Sequence, residues 1–538
     1  MSRFDPALVD RFLAHHWRFN PVDATFMGER GYDHRLPPAG AETLDDERAG
    51  IAELLGMLEA SEEPDDLGQR LDRRMMIAEL TVRQAAAESR PRLANPAWYS
   101  GEAAFGIISL LLPQSAPVRE AALLDRLEGV DGFLAQGAER LAGVAVPAGW
   151  VARARRECAA MALFLREDIA LHEDWAEGWQ APATRAADAF ERFASALDGL
   201  DDADPAAGEA YLTLLMRTQH GLDFGPREAL ERAEAAFARL GEEMEAMADA
   251  IRPGASAAII LAKLAAIGPE SVDAAFKSYE AIDQKARKAA EGLMTLAQGY
   301  GLDYRWMAPC FRRVSQTLYF LFYRSPPGLD AGSGSVYWVT PPGSDETAFL
   351  AANPTAIVKT IHSVHHGGVG HHTQNARARV AASRLARIAG TDCALGLAFL
   401  GSGTLIEGWA CYVEDLLMEA DGFYSPAEML LLKQFERRNA ASVLVDIRLH
   451  LGEWSEEEAI AFYRDEAGFA PSRVAGEVVR NTMLPASRLM YWLGVEGIKA
   501  LRNRWRGDTV SFHDTLLSFG HMPLAWIAEE MDRAGQLG

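Results

Sequence analysis

The stretch "PREALERAEAAFARLGEEMEAMADAIR" (residues 226–252) places Leu230, Ala233, Phe237, Leu240 and Met244 at steps of three and four, with charges between them. That spacing returns to one face of a 3.6-residue turn and predicts an amphipathic helix. The same period recurs over 45–60, 69–88, 119–142, 151–172, 184–198, 271–298, 427–451 and 456–465. An all-α, multi-helix fold follows. No fixed-period repeat or low-complexity tract is present, which argues against a solenoid.

The main interruption is residues 323–355, "YRSPPGLDAGSGSVYWVTPPGSDETAFLAANPT", rich in Pro, Gly and Ser. Within it "SVYWVT" (335–340) is the best strand candidate of the chain. A loop holding a short strand just before a histidine cluster is either an active-site wall or a surface excursion between two helical halves. The chain is expected to form one helical catalytic unit over 1–538, with division into 1–225 and 226–538 as the alternative.

Over 538 residues, 49% are hydrophobic and 24% charged, the balance of an ordinary soluble globular protein. Lys and Arg number 53 against 76 Asp and Glu, a net charge of −23 with no long basic run. Nucleic acid and anionic membrane are therefore not expected as partners, because both need a basic patch. Cys158, Cys310, Cys393 and Cys411 are scattered and form no CxxC pair, so they are expected as reduced thiols. No signal-peptide-like run opens the chain, and no apolar stretch nears the roughly 18 residues of a membrane span. A cytoplasmic location is the expectation.

Five of the 13 histidines crowd into His362–His372, within "IHSVHHGGVGHHTQ" (361–374), where even spreading would leave fewer than one. Ile357, Ile361 and Val364 form one stripe of the preceding helix. His365 and His372 point the same way on a straight helix but stand roughly 10 Å apart along its axis. Gly367, Gly368 and Gly370 would let the backbone break and close that gap. His362 and His366, four apart, are the other easy pair. Neutral imidazoles with one carboxylate make a metal shell with an open position, whereas five separate core, capping or surface histidines would be an unusual coincidence.

The carboxylate must come from elsewhere, and Glu407 in "GTLIEGWACYVEDLLMEA" (403–420) is the strongest candidate. Leu405, Trp409, Tyr412 and Leu416 share one face of that helix; Glu407, Cys411 and Glu414 follow a second. In "ASVLVDIRLHLGEW" (441–454) Asp446 and His450 are four apart, so the carboxylate can orient the imidazole. "GEVVRNTMLPASRLMYWLGVEGIKALR" (476–502) brings Arg480, Arg488 and Tyr491 around a helix-interrupting Pro485. Core salt bridges are the competing explanation for Asp446 and Arg480.

The order of these segments resembles a large, mostly uncharacterised bacterial family of all-helical, metallopeptidase-like proteins, distantly similar in fold to thermolysin-type zinc peptidases. Its pattern runs HExxPGHHxQ, EGWAxYxE, VDxxLH and ExxRY…PxQxxSYxxG. The corresponding segments are "HHGGVGHHTQ" (365–374), "EGWACYVE" (407–414), "VDIRLH" (445–450) and "EVVRNTMLPASRLMYWLG" (477–494). The likeness extends to 20–37, 208–235 and 512–527, and the last motif is eroded at Asn481 and Ser487. The resemblance implies His365 and either His371 or His372 as metal ligands, Glu407 as the third, and Tyr491 or His450 at the oxyanion. It also implies a base at the position held by His366; the family's Pro is Val369 here.

The expected function is thus a metal-dependent hydrolase of a small amide, peptide-like or ester substrate. It would use one divalent ion, with zinc first and iron or manganese as alternatives. His366, His450, Tyr491 and Arg480 are the catalytic candidates; His365, His371, His372 and Glu407 the metal candidates; His362, Asp446 and Glu414 their outer partners. Replacement of the basic Glu by His366 keeps two other readings open. One is a lyase or mononuclear iron oxygenase with a rearranged shell, the other a non-catalytic relative.

Overall fold

The computed structural model describes residues 3–112, 118–298, 301–318, 323–329, 334–388 and 403–538. Helices dominate it, as their spacing predicts. Starts and stops are set locally. Ser425 and Ser455 each accept the amide of a Glu three residues on while that Glu accepts theirs, which fixes the first turns of Pro426–His450 and Glu456–Asp465.

The ends explain where expectation and structure differ. The helix expected over 427–451 spans Pro426–His450 and stops there, because Gly452 takes φ +69° and the Glu453 amide turns back to the Arg448 carbonyl. Likewise 271–298 is helical only over Val272–Ala289, with Gly292 at φ +79° beyond it. The 476–502 region divides into Pro471–Met483 and Leu489–Arg504 around Pro485, as its proline predicts.

Among the described residues three short strands form one sheet: β1 (Leu302–Trp306), β2 (Tyr323–Arg324) and β3 (Ser335–Val339). β3 is central, parallel to β1 and antiparallel to β2, with Tyr337 facing Tyr304 and Tyr323 across the register. Every residue of β3 is buried, so the strand expected at 335–340 is present and enclosed on both faces. β1 is not among the expected strands, although the strict apolar–polar alternation of "LDYRW", matched by its burial, is a strand signal.

Two large cores hold the molecule. In one, Phe12, Ile51, Leu71 and Met76 from the N-terminal helices pack with Val364, Trp409, Tyr412 and Phe512. The other joins the wholly buried helix Pro96–Leu111 to Glu120–Leu141, Ala148–Leu163 and Gln180–Ala196, and takes in Phe311 and Trp338. Core therefore forms between residues far apart in sequence, and the histidine segment lies where helices from both ends of the chain meet.

One helix crossing matters for the site. Helices Gly403–Leu416 and Leu489–Arg504 touch backbone to backbone at Gly408 and Gly494; a Cβ on Gly408 would stand 2.7 Å from the Gly494 Cα. Only glycine permits that approach. It sets Tyr491, one turn before Gly494, close to Glu407.

Candidate metal centre

The segment Thr355–Ile357 begins as an α-helix and widens into π-geometry over Val358–His365. The His366 amide accordingly donates five residues back, to the Ile361 carbonyl at 3.2 Å. Wide turns of this kind recur at functional sites because they re-aim side chains. The chain then reverses through Gly367–Gly370 and restarts as helix His371–Ala378. A Cβ on Gly370 would lie 1.9 Å from the His365 carbonyl oxygen, and one on Gly367 2.0 Å from that of Ser363. Asp283 accepts the Gly368 amide at 2.5 Å, and the Trp409 indole donates to the Val369 carbonyl at 3.2 Å, pinning the turn from two helices.

The reversal lays His371 against His365, ring centroids 5.0 Å apart, with His366 4.6 Å from His365 and 5.5 Å from His371. One ligand atom from each of the three lies within 4.8 Å of the others. Glu407 completes the group: its Oε2 is 3.5 Å from His365 Nε2 and 3.7 Å from His371 Nε2. Ligands around one tetrahedral ion with ~2.0 Å bonds stand about 3.3 Å apart. The spacing therefore fits a small divalent cation.

Both ring tautomers point the same way. Glu414 Oε1 sits 2.7 Å from His365 Nδ1, so that nitrogen carries a proton and Nε2 is the one a cation would take. Gln374 donates its amide to the carbonyls of Leu405 and Ile406, at 2.9 and 3.3 Å. Its oxygen is thereby turned to His371 Nδ1, at 3.1 Å, which must donate. The two Nε2 atoms converge on the Glu407 carboxylate, while Glu414 and Gln374 hold the far nitrogens, the way outer partners orient histidines in metal sites.

Burial and mutual charge set the electrostatics of these groups. Burial opposes charge on His365, yet Cys411, Glu407 and Glu414 outweigh it and raise its pKa well above the ordinary value. Burial alone would raise Glu407, but His365 and His371 hold it well below the usual carboxylate range. Burial, then the neighbouring His365, His371 and His362, push His366 well below 6.5. It is a neutral imidazole whose buried Nδ1 has no hydrogen-bond partner. Burial, with Glu407 beside it, raises the Tyr491 phenol, so its hydroxyl stays protonated.

A cavity of about 550 Å³ adjoins the cluster, lined by Tyr279, Tyr337, Trp338, Phe349, Asn353 and His362 among others. Tyr337 is shared between cavity and cluster: its ring centroid is 6.1 Å from His366.

The expected residues divide clearly. His365, His366, His371, Glu407 and Glu414 are brought together, and Tyr491 stands beside them. His372 is not in the group; its Nδ1 hydrogen-bonds the Ser335 hydroxyl of β3 at 3.0 Å, since one residue past the turn swings the ring by a third of a helical circle. His362 pairs with the Tyr337 hydroxyl at 2.5 Å and faces the cavity.

His450 and Asp446 require correction. His450 is fully buried, bonding the Asn481 carbonyl with Nε2 at 2.9 Å and the Ala207 amide with Nδ1 at 3.3 Å. Both nitrogens are committed to backbone, so it cannot serve an oxyanion. Asp446 stands 3.6 Å from it, beyond a hydrogen bond, and instead accepts the amides of Ala486 and Arg488 at 3.1 and 2.9 Å. Burial raises its pKa to about 7. Its role is to hold the turn between two helices, where Ala486 adopts φ +62°. Arg488 binds Glu477 and Asn481 Oδ1, and the charge of Arg480 bears on Glu477 and Tyr491. Cys393 lies outside the described residues.

Gln374 and Asp283 were missed. Gln374 follows His371 by three residues, a spacing that places both on one helix face and could have identified it. Asp283 reaches the turn from far along the chain and left no local signal.

The fold is shared with solved proteins. The chain is similar to a putative lipoprotein from Colwellia psychrerythraea, at 18% identity and TM-score 0.80, covering 98% of both chains. It is also similar to a putative lipoprotein of unknown function from Shewanella oneidensis, at 17% identity and TM-score 0.76, covering 97% of this chain and 98% of that one. No curated protein matches it. The family model described as "Bacterial protein of unknown function (DUF885)" matches residues 21–531, and the chain belongs to that family.

Proposed function

We propose that the protein is a divalent-metal-dependent hydrolase of small amide, peptide-like or ester substrates. The observation that carries this reading is the convergence of His365 Nε2 and His371 Nε2 on the Glu407 carboxylate within 3.7 Å, with each Nδ1 held from behind by Glu414 or Gln374. Zinc suits two imidazoles and a carboxylate at this spacing, with iron or manganese as alternatives.

A cation held there would polarise a substrate carbonyl and make an adjoining water more acidic. His366, neutral and without a partner at Nδ1, accepts the proton of the attacking water and returns it to the leaving group. The Tyr491 hydroxyl, kept protonated, donates to the carbonyl oxygen as it gains charge. The aromatic cavity beyond Tyr337 receives an apolar substituent of the substrate.

A second reading rests on the 4.8 Å grouping of His365, His366 and His371. With His366 as a fourth ligand the shell departs from that of a hydrolase, and a lyase or iron oxygenase becomes the function. His366→Ala distinguishes the two. As a base, its loss leaves metal bound and lowers turnover of an amide and ester panel by about 10²–10⁴-fold; as a ligand, its loss releases the metal. His366→Glu restores hydrolysis only under the first reading.

Among the described residues no helix is long and apolar enough to cross a membrane. The two solved neighbours are described as lipoproteins, which makes the cell envelope the alternative to a cytoplasmic location. Cell fractionation separates these: recovery with membranes favours the envelope, recovery in the soluble fraction the cytoplasm.

A further inference from the structure

Helix Gly403–Leu416 presents Glu407, Cys411 and Glu414 along one face, spaced four and three apart. Glu407 belongs with His371, but the other two do not. Ligand atoms of His365, Cys411 and Glu414 lie within 4.8 Å of one another, a second grouping that shares only His365 with the first. All three are buried. Asn439 aims its side-chain amide at the Cys411 sulfur, 3.7 Å away. A donor directed at sulfur favours the anionic form that a bound metal would create.

We propose that His365, Cys411 and Glu414 form a second cation site, specific for a soft, thiophilic divalent ion, which overlaps the first through His365. Sulfur discriminates here: thiolate selects zinc-like and softer ions, whereas calcium, magnesium and manganese prefer oxygen. Binding replaces the Cys411 thiol proton and the proton on the coordinating nitrogen of His365, both of which leave to solvent as the metal–sulfur and metal–nitrogen bonds form; no electron is transferred. Glu414 must then turn from the His365 Nδ1 proton to the ion. The two sites are therefore antagonistic, because the second withdraws the carboxylate that orients His365 for the first. An excess of a soft ion acts as an inhibitor that manganese does not imitate.

Cadmium titration of the full-length protein tests this through the ultraviolet sulfur-to-cadmium charge-transfer band, independently of activity. The expected result is a saturable band in the wild type that is lost in Cys411→Ser, weakened at least tenfold in apparent affinity in Glu414→Gln, and retained in His371→Ala. Circular dichroism verifies that each variant is folded. No band in the wild type, or an undiminished one in Cys411→Ser, overturns the proposal. Loss in His371→Ala also overturns it, since sulfur would then serve the first site. The band does not require hydrolysis: a band without stoichiometric metal at His371 and Glu407 would sustain this site while removing the proposed function.

Discussion

Glu414 and His365 meet at 2.7 Å, carboxylate oxygen to Nδ1, on buried faces of two helices that the sequence separates by 49 positions. That contact chooses the tautomer of a ring whose other nitrogen faces Glu407. Removing the carboxylate frees the ring to rotate and lowers its basicity. Glu414→Gln is predicted to weaken metal affinity about 10–100-fold with little change in helical content. Competition with a chromogenic chelator measures it.

The turn between Met483 and Leu489 depends on Asp446, which accepts two backbone amides there. Asp446→Ala leaves both donors buried and unpaired and is expected to cost about 3 kcal/mol. At Ala486, φ is +62°, a conformation costing an L-residue about 1 kcal/mol. Ala486→Gly should therefore stabilise the protein by a similar amount. Denaturant unfolding reads both, and opposite signs are the prediction.

Acid sensitivity is expected away from the cluster. Burial pushes His16, His220, His450 and His513 from 6.5 down to about 4. Between those values the unfolded chain binds more protons than the folded one. Stability then falls as pH drops from 6.5 toward 4 and is level above 6.5 with respect to these groups. His450→Gln should remove about one proton from the slope of unfolding free energy against pH.

The Gly408–Gly494 crossing has no room for a methyl group. Gly408→Ala should lower stability by about 1–3 kcal/mol and, by moving Tyr491 from Glu407, reduce turnover further than stability alone explains. Thermal melts beside kinetics on folded protein separate these effects.

Much of this was legible in the sequence, and its limits have physical causes. Helix period identified the helices, and "SVYWVT" located the central strand. The glycines beside the histidines pointed to a backbone break that folds one imidazole onto another. Choosing His371 over His372 needed the φ and ψ angles of that break, which no spacing rule supplies. The four-residue spacing of Asp446 and His450 suggests a carboxylate orienting an imidazole, yet each is claimed by backbone from segments distant in sequence. Local period carries information about faces, whereas partnership is set by tertiary contacts such as Ala207, Ala486 and Asn481.

The central claim is one cation between His365, His371 and Glu407. Anomalous diffraction at the metal edge from crystals of purified protein tests it most directly. The prediction is a single strong peak within about 2.3 Å of both Nε2 atoms and the Glu407 carboxylate, absent in Glu407→Ala. A wild-type crystal grown with zinc that shows no peak there, or an equal peak in Glu407→Ala, would contradict the account.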